Sequence, residues 1–201
     1  MFSGIVQAVG RIDAVADLGF GKRLHVVAPA LGLEDVRVGD SIAVNGACMT
    51  VTEKSADAFA VDVSAESLSK TAGLNRQGLV NLEKSLRLGD RIDGHLVSGY
   101  VDGTGVVERF EQRGESWLLE VAAPGALARF FAIKGAVTID GVSLTINTVV
   151  DRTADCLIGV NLIPHTLSVT TLKALAPGER VNLEADLIAR HVERLLALRG
   201  G

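Results

Sequence analysis

Short runs of apolar and β-branched residues, separated by turn signals, follow one another along most of the chain. Such runs are typical of strands, and the signals between them include Gly19-Phe20-Gly21, Val38-Gly39-Asp40 and Asn45-Gly46. Their spacing of about 8–12 residues predicts closed antiparallel sheets rather than alternating strand–helix units. The predicted strands are residues 5–12, 24–28, 41–44, 49–52, 58–63 and 80–82 in the first half, and 101–107, 117–121, 137–139, 144–150, 157–162 and 180–183 in the second.

The second half of the chain repeats the first. Ser3-Gly4-Ile5-Val6 returns as Ser98-Gly99-Tyr100-Val101, and Asn45-Gly46-Ala47-Cys48 returns as Asp140-Gly141-Val142-Ser143. Both pairs of segments lie 95 residues apart, which is too long for a solenoid repeat and suits two domains that each hold a core. We therefore expect a first domain over residues 1–95, a second over 96–185 and an appended segment over 186–201.

Three segments have helical character. Residues 65–71 and 164–172 are short and occupy equivalent places in the two halves. Residues 186–199 have no counterpart, and Asp186 suits their N-cap while Arg199 suits the C-terminal dipole. A terminal helix of this kind packs on its own domain or forms an oligomer contact, and we expect the oligomer contact. The positions that share one side at helical spacing are Leu187, Ile188, His191, Val192, Leu195, Leu196 and Leu198.

Composition narrows the range of partners. The chain has 201 residues, of which 48% are apolar and 22% charged, as in a globular protein. Its formal net charge is −4 and it has no Lys/Arg cluster, which argues against nucleic acid. We expect no signal peptide and no membrane partner, since no apolar run approaches the roughly 20 residues that a spanning helix needs. Cys48 and Cys156 form no disulfide framework and suit a reducing cytoplasm.

Several polar residues allow both a structural and a functional interpretation. Cys48 follows a predicted turn and is either a small buried side chain or a reactive thiol. Ser143 and Thr145 alternate along a predicted strand, so a pocket at the end of a barrel could receive both hydroxyls; otherwise they are ordinary strand residues. Asp140 precedes a glycine and is typical of a turn. No spacing of His, Cys and carboxylates predicts a metal site.

Six strings of residues resemble the riboflavin synthase family, in order and over nearly the whole chain. One string alone is weak, whereas six in register inside a tandem repeat are specific. The strings are Met1-Phe2-Ser3-Gly4-Ile5-Val6, Asn45-Gly46-Ala47-Cys48-Met49-Thr50-Val51, Asn81-Leu82-Glu83-Lys84-Ser85-Leu86-Arg87-Leu88-Gly89-Asp90, Gly94-His95-Leu96-Val97-Ser98-Gly99, Ile139-Asp140-Gly141-Val142-Ser143-Leu144-Thr145 and Leu162-Ile163-Pro164-His165-Thr166-Leu167.

This resemblance implies both a fold and a reaction. The fold class would be all-β, with two tandem six-stranded Greek-key barrels and a C-terminal α-helix. The enzyme would be a cytoplasmic homotrimer joined through that helix, and a transferase that needs no cofactor or metal. It would bind two molecules of 6,7-dimethyl-8-ribityllumazine, one per half, where the first half of one subunit faces the second half of a neighbour. One lumazine would give a four-carbon unit to the other, forming riboflavin and 5-amino-6-(ribitylamino)uracil.

The resemblance also implies a set of site residues. The catalytic set would be Cys48, Ser143, Asp140, Ser41 and Tyr100. The first-half pocket would be lined by Cys48, Met49, Thr50, Asp62, Val63, Ser64, Ala65, Glu66 and Ser67. The second-half pocket would be lined by Gly4, Ile5, Val6, Ser143, Leu144, Thr145, Asn161, Leu162, Ile163, Pro164, His165 and Thr166, with Lys134 reaching in from the neighbouring subunit. The remaining expected substrate contacts are Gly99, Tyr100 and Val101.

Two positions depart from the family pattern. Tyr100 stands where the family has His; because its ordinary pKa of about 10 makes it a poor base at neutral pH, we expect it to bind substrate. His165 stands where the family usually has an acidic residue. The two halves also differ from each other, since Cys48 corresponds to Ser143. Such a difference fits a reaction in which one substrate donates and the other accepts.

Two other functions fit a barrel of this kind. The first is a non-catalytic lumazine or flavin carrier, and Tyr100 is the residue that most favours it. The second is a flavin-dependent oxidoreductase, which would need an additional nicotinamide-binding α/β domain for which we expect no room. Gly103-Thr104-Gly105 does not supply that domain, because it lacks the third glycine and the strand–helix context of a dinucleotide site.

Overall fold

The computed structural model describes residues 1–198, which fold into two closed β-barrels and three α-helices, with short 3₁₀ turns between elements. The first barrel contains β1 (Ala8–Asp17), β2 (Gly21–Val27), β3 (Ser41–Val44), β4 (Ala47–Lys54), β5 (Ala58–Ser64) and β6 (Gly78–Lys84). The second contains β7 (Gly103–Arg113), β8 (Ser116–Pro124), β9 (Ala136–Ile139), β10 (Val142–Asp151), β11 (Asp155–Leu162) and β12 (Arg180–Ala185). The helices are α1 (Ala65–Lys70), α2 (Pro164–Val169) and α3 (Leu187–Ala197).

The two barrels have the same strand order. The first runs β1-β2-β5-β4-β3-β6 and the second runs β7-β8-β11-β10-β9-β12, with antiparallel neighbours throughout. In the first barrel β3, β4 and β5 follow one another as hairpins and β6 returns beside β3, which is the Greek-key arrangement. The predicted all-β fold class of two duplicated barrels with a C-terminal helix is therefore confirmed.

Each barrel encloses its own apolar core. Along β10 the side chains of Val142, Leu144 and Ile146 are buried, whereas Ser143 is half-buried and Thr145 is exposed. This alternation follows from the two-residue period of a strand, which sends successive side chains to opposite faces. Burial of each large apolar side chain contributes about 1.5–3 kcal/mol, so the two cores stabilise two similar scaffolds.

Most predicted elements differ from the observed ones by a few residues at their ends, and in three the difference changes the path of the chain. The prediction that strands begin at residues 5 and 101 is wrong, since β1 begins at Ala8 and β7 at Gly103. Before each of these strands the chain lies outside the barrel, where it passes through a left-handed glycine, Gly4 or Gly99. The predicted helix over residues 164–172 is also interrupted: α2 ends at Val169, Thr170 is extended with φ −130°, and a short 3₁₀ turn follows.

The C-terminal helix binds its own barrel through its polar side. Arg190 forms an ion pair with Asp102 at 2.6 Å and lies over the ring of Phe130, and Arg129 pairs with Glu193 at 3.2 Å. The predicted N-cap at Asp186 is present, because its side chain accepts a hydrogen bond from the backbone N–H of Ile188; Arg199 lies outside the described residues. Within residues 1–198 no helix is both long and apolar enough to span a bilayer. On the outward side of α3 the exposed apolar side chains are Ile188, Val192, Leu195 and Leu196, with Leu198 at its C-cap.

Candidate functional site

Two chain segments pass from one barrel to the other. We call residues 2–6 the N-terminal segment and residues 97–101 the linker segment. They pair with each other through two backbone hydrogen bonds, Phe2 N to Val97 O at 2.8 Å and Val97 N to Phe2 O at 3.1 Å. Both Phe2 and Val97 are buried. The two segments therefore form a buried pair.

Each segment is held by a glutamate of one barrel. The Oε1 atom of Glu83 in β6 accepts hydrogen bonds from Ser3 N and Oγ, and its Oε2 atom accepts one from Gly4 N. In β12, Oε1 of Glu184 accepts from the backbone N–H and hydroxyl of Ser98, and Oε2 from the N–H of Gly99. Burial raises the pKa of both carboxyl groups above the ordinary value, and these hydrogen bonds oppose that rise.

Each segment also contacts a site strand of the opposite barrel. The carbonyl of Gly4 accepts a hydrogen bond from Ser143 N in β10 at 2.7 Å, and that of Gly99 accepts one from Cys48 N in β4 at 2.8 Å. Val6 packs against the second core and Val101 against the first. The structure thus brings Gly4 and Val6 to the second barrel, and Gly99 and Val101 to the first.

The polar residues predicted along β4 and β10 lie on the outer faces of the barrels. Cys48 and Ser143 are half-buried, and Thr50 and Thr145 are exposed. The alternate residues of each strand fill the barrel interior, so a pocket that receives these hydroxyls does not lie inside a barrel. A pocket at the barrel end stays a prediction. Any ligand of these residues would bind against the outside of a barrel.

His95 is a titratable side chain in hydrogen-bond contact with Ser143. Its Nδ1 atom lies 2.7 Å from Ser143 Oγ, and its Nε2 atom is shielded from solvent with no hydrogen-bond partner among residues 1–198. Burial lowers the pKa of His95 below its ordinary value, against the opposing charge of Asp186. The imidazole is therefore largely neutral at pH 7 and is able to accept a proton.

The corresponding surface on the first barrel has a thiol and no histidine contact among the described hydrogen bonds. Cys48 packs with Phe2, Ala43 and Val97. Ser41 lies opposite Thr50 in the β3–β4 pairing, so the hydroxyls of this pair share one face. Ser41 also borders a polar depression of about 280 Å³ that neither Cys48 nor Ser143 lines. The first site is thus less polar around its central residue than the second.

Asp140 lies in the contact between the barrels. It forms a two-residue turn with Gly141, with φ values of 47° and 78°, and this turn abuts the equivalent turn at Asn45 and Gly46. Its Oδ1 accepts a hydrogen bond from Asn182 N at 2.8 Å, and its backbone carbonyl accepts one from Asn81 Nδ2. Burial raises the pKa of Asp140 to about 7, Glu179 acts in the same direction, and the bond from Asn182 opposes it. Among the described hydrogen bonds, none joins Asp140 to Ser143.

The two predicted ligand loops differ in their charge and capping. Asp62 forms two hydrogen bonds to Arg23, at 2.7 and 2.9 Å, and this partner lowers the pKa of its carboxyl group. Its counterpart Asn161 is exposed and pairs across the sheet with Leu118. In the first loop the Oγ of Ser64 caps α1 by accepting from Ser67 N, whereas α2 begins without a side-chain cap. The second loop therefore leaves more of its backbone N–H groups uncapped.

The other predicted loop residues remain on the surface. Ala65, Glu66, Ile163, Pro164 and His165 are exposed, and Ser67 and Thr166 are half-buried. By contrast, four predicted contacts direct their side chains into the barrel cores: Met49, Val63, Leu144 and Leu162. Because those side chains are occupied in packing, only the main chain of these four residues is free to meet a ligand.

Three further predicted contacts are surface residues. Lys134 has a left-handed backbone, with φ 68°, and its Nζ donates to Asn147 Oδ1 of its own barrel at 3.1 Å. Tyr100 is 72% exposed and Ile5 is 44% exposed. These two side chains occupy equivalent positions next to Gly99 and Gly4, so each stands at the border of one site.

Comparison with known sequences identifies the two barrels. A lumazine-binding domain is matched over residues 3–85 and again over residues 98–186. Riboflavin synthase of Mycobacterium tuberculosis (strain ATCC 25618 / H37Rv) is 42% identical over 205 aligned positions, which cover 100% of both chains. That of Photobacterium phosphoreum is 39% identical over 198, which cover 98% of this chain and 89% of the relative. The chain belongs to the riboflavin synthase family.

Solved structures extend the family relationship to ligand-binding proteins. LumP complexed with riboflavin has a TM-score of 0.82 at 27% identity, covering 92% of this chain and 99% of that one. LumP complexed with 6,7-dimethyl-8-(1'-D-ribityl) lumazine has a TM-score of 0.80 at 26% identity, with the same coverage. The riboflavin synthase family fold of this chain is thus shared by proteins that hold lumazine and riboflavin.

Three residues that contact or position the site were missing from the predicted set. His95 belongs to one of the strings that resemble the riboflavin synthase family, but its contact with Ser143 spans 48 positions and no local pattern indicates it. Glu83 and Glu184 close the repeated string Val-Asn-Leu-Glu. A glutamate that follows Val-Asn-Leu in both halves was the available signal, because a buried carboxylate needs a dedicated partner.

Proposed function

We propose that this chain is a riboflavin synthase, a cytoplasmic transferase that moves a four-carbon unit between two molecules of 6,7-dimethyl-8-ribityllumazine. The products are riboflavin and 5-amino-6-(ribitylamino)uracil. The observation that supports this most strongly is the pair of equivalent outer faces, one centred on Cys48 and the other on Ser143. Two equivalent surfaces suit two copies of one substrate, and their unlike central residues suit a donor and an acceptor.

Much of the rate enhancement would come from orientation. Holding two reactants in a fixed geometry can remove about 7–11 kcal/mol of a bimolecular barrier in favourable cases. This contribution needs two rigid surfaces, and β4 and β10 belong to closed barrels with buried cores. No cofactor is required for this part of the reaction.

Proton transfer would centre on His95 and Ser143. The neutral imidazole can accept the serine proton at Nδ1, in the tautomer that carries its own proton on Nε2. Cys48 supplies a thiol on the other face as a nucleophile or an acid–base group. Asp140 belongs to the proposed catalytic set by resemblance, although its side chain is bonded within the contact between barrels.

The reaction would take place between subunits of a homotrimer. Thr50 and Thr145 are exposed, so neither outer face is covered within one chain, and a reacting pair needs water excluded. The first barrel of one subunit facing the second barrel of a neighbour would cover both faces. In support, α3 docks by Arg190 and leaves Ile188 and Leu195 exposed for a neighbouring copy.

A lumazine or flavin carrier is the competing function. Its support is the similarity to LumP, together with a tyrosine at position 100. The choice depends on whether bound lumazine reacts, because both functions require the same ligand-binding surfaces.

Turnover of purified protein tests the proposal. Mixed with 6,7-dimethyl-8-ribityllumazine alone, the chain is expected to form one riboflavin for every two lumazines consumed, as followed by absorbance. His95→Gln is expected to lower the turnover about 100-fold through loss of the proton acceptor while retaining lumazine binding. Sedimentation of the same sample is expected to give a trimer. Stoichiometric binding without riboflavin formation would establish the carrier instead.

A further inference from the structure

Glu83 and Glu184 are buried carboxylates that accept hydrogen bonds but have no cationic side chain as a partner among the described residues. Their exposed fractions are only 4% and 1%, and neither forms a salt bridge with Lys, Arg or His within residues 1–198. A buried carboxylate without a cation is costly unless hydrogen bonds satisfy it. Each of the two has three donors, and all three come from a Ser-Gly pair in a crossing segment.

Each glutamate holds a segment that contacts the site on the other barrel. Glu83 belongs to the first barrel, but the N-terminal segment that it holds accepts a hydrogen bond from Ser143 of the second. Glu184 belongs to the second barrel, and the linker segment accepts one from Cys48 of the first. We call Glu83 and Glu184 the anchors. Each anchor therefore lies in a different barrel from the site residue that its segment contacts.

Each segment lies so close to its site residue that no side chain fits between them. A Cβ atom built on Gly4 would lie 2.7 Å from Ser143 Cβ, and one built on Gly99 would lie 2.7 Å from Cys48 Cβ. At this separation a segment that shifts also changes the surroundings of the central side chain. The anchors are thus placed to control the geometry of a site that they do not touch.

The two halves of the repeat share the residues that hold the segments but differ in the residues at the sites. The anchoring parts are identical in the two halves, since both have Glu with a Ser-Gly pair. The residues at the sites differ, with Cys48 against Ser143 and Ile5 against Tyr100. Duplication has kept the attachment while the side chains that face a ligand have diverged.

We propose that Glu83 and Glu184 are positioning residues, each of which holds from one barrel the chain segment that completes the site on the other. This inference rests on the proposed function for its link to turnover, but the crossed attachment itself concerns only the chain. The first lumazine site then depends on Glu184 and the second on Glu83. Loss of one anchor impairs one site and leaves the other largely intact.

Thiol labelling measures this crossed dependence without any substrate. Cys48 reports on the first site in the natural chain, and the double variant Cys48→Ser/Ser143→Cys moves the reporter to the second. Glu184→Gln is expected to raise the alkylation rate by iodoacetamide at Cys48 about tenfold, since the amide nitrogen replaces an acceptor of a charge-assisted hydrogen bond. Glu83→Gln is expected to do the same at the thiol introduced in the second site, and each is expected to change the other reporter less than about twofold.

Built-in controls separate local loosening from unfolding. Cys156 is completely buried and stays unlabelled while the second barrel is folded. Ser98→Ala and Ser3→Ala remove one of the three donors and are expected to give smaller rate increases in the same crossed pattern. Equal acceleration at both reporters, acceleration of the reporter in the anchor's own barrel, or no acceleration overturns the proposal.

Binding stoichiometry connects the anchors to the proposed function. In a fluorescence titration with 6,7-dimethyl-8-ribityllumazine, the natural chain is expected to bind two equivalents and each glutamine variant one at the same ligand concentration. A natural chain that binds no lumazine contradicts the proposed function and leaves the labelling result standing. Two equivalents bound by both variants with unchanged affinity would overturn the positioning role.

Discussion

The first and second barrels share a scaffold and differ in chemistry. Their strand orders match, and each is crossed by a segment that the other barrel anchors. At the sites, however, Cys48 packs among apolar side chains, whereas Ser143 contacts His95. A duplicated fold can therefore keep two binding surfaces equivalent in position while a few side chains assign them different roles.

The largest expected effect comes from filling the contact between segment and site. Gly99→Ala would place Cβ 2.7 Å from Cys48 Cβ and 2.8 Å from a ring carbon of Phe2, at φ 80°. We expect the free energy of unfolding to fall by about 2–4 kcal/mol, from left-handed strain and overpacking together. Denaturant unfolding measures this loss.

A glycine in open space provides the control for that substitution. Gly19 has the same left-handed backbone, with φ 80°, and no atom within 4 Å of a built Cβ. Gly19→Ala is expected to cost only about 1 kcal/mol. Equal losses in the two variants would mean that the linker segment is not tightly packed against β4.

The two turns at the barrel contact allow an exchange of residues between halves. Asp140→Asn gives the second turn the amide that Asn45 has in the first. The two side chains already make equivalent hydrogen bonds: Asn45 Oδ1 accepts from Asn81 N, and Asp140 Oδ1 accepts from Asn182 N. Because the folded pKa of Asp140 is about 7, above the ordinary 3.8, its carboxyl group stabilises the fold only while protonated. That contribution is complete below about pH 4 and is lost as the pH rises through 7.

Asp140→Asn is therefore expected to be more stable than the natural chain, with an advantage that grows by roughly 1–3 kcal/mol between pH 5 and pH 8. Urea unfolding at the two pH values measures it, with Asp57→Asn at an exposed position as the control for the substitution itself. A constant difference across this range would contradict the buried ionisation. Loss of turnover in a stabilised variant would support the catalytic role that the family resemblance implies.

The sequence allowed the prediction of strands and turns because these depend on local patterns. Apolar runs separated by Asn45-Gly46 and Asp140-Gly141 indicated hairpins, and the structure has left-handed turns at both places. The 95-residue repeat indicated two equivalent barrels, which are confirmed. These features require no knowledge of distant contacts.

The crossing of segments between barrels depends on distant contacts. Ile5 and Val6 continue an apolar pattern that favours a strand, yet the hydrogen bonds of Ser3 and Gly4 to Glu83 keep this stretch outside the barrel. An apolar pattern indicates that a side chain is buried, but it does not indicate which of two similar barrels buries that side chain. For the same reason α3 was recognised by its apolar stripe, whereas its docking through Arg190 and Asp102 was not.

The smallest expected effect comes from the border of the first site. Tyr100 is 72% exposed, so Tyr100→His should change the free energy of unfolding by no more than about 0.5 kcal/mol. An imidazole with an ordinary pKa near 6.5 is a better proton acceptor at neutral pH than a phenol with a pKa near 10. We expect the steady-state turnover to be preserved or raised by up to about tenfold.

Two further substitutions separate binding from proton transfer at the borders of the two sites. Tyr100→Phe removes only the hydroxyl, so a rise in KM at constant kcat would assign Tyr100 to binding. Ile5→His places an imidazole at the equivalent border of the second site, where His95 already contacts Ser143, and it is expected to leave kcat unchanged. If only the histidine at position 100 raises kcat, the first site is the one that lacks a base. Among the described contacts, His95 lies next to Ser143 of the second site, and no histidine contacts Cys48 of the first. A large loss of turnover in Tyr100→His would instead mean that the phenol itself takes part in the reaction.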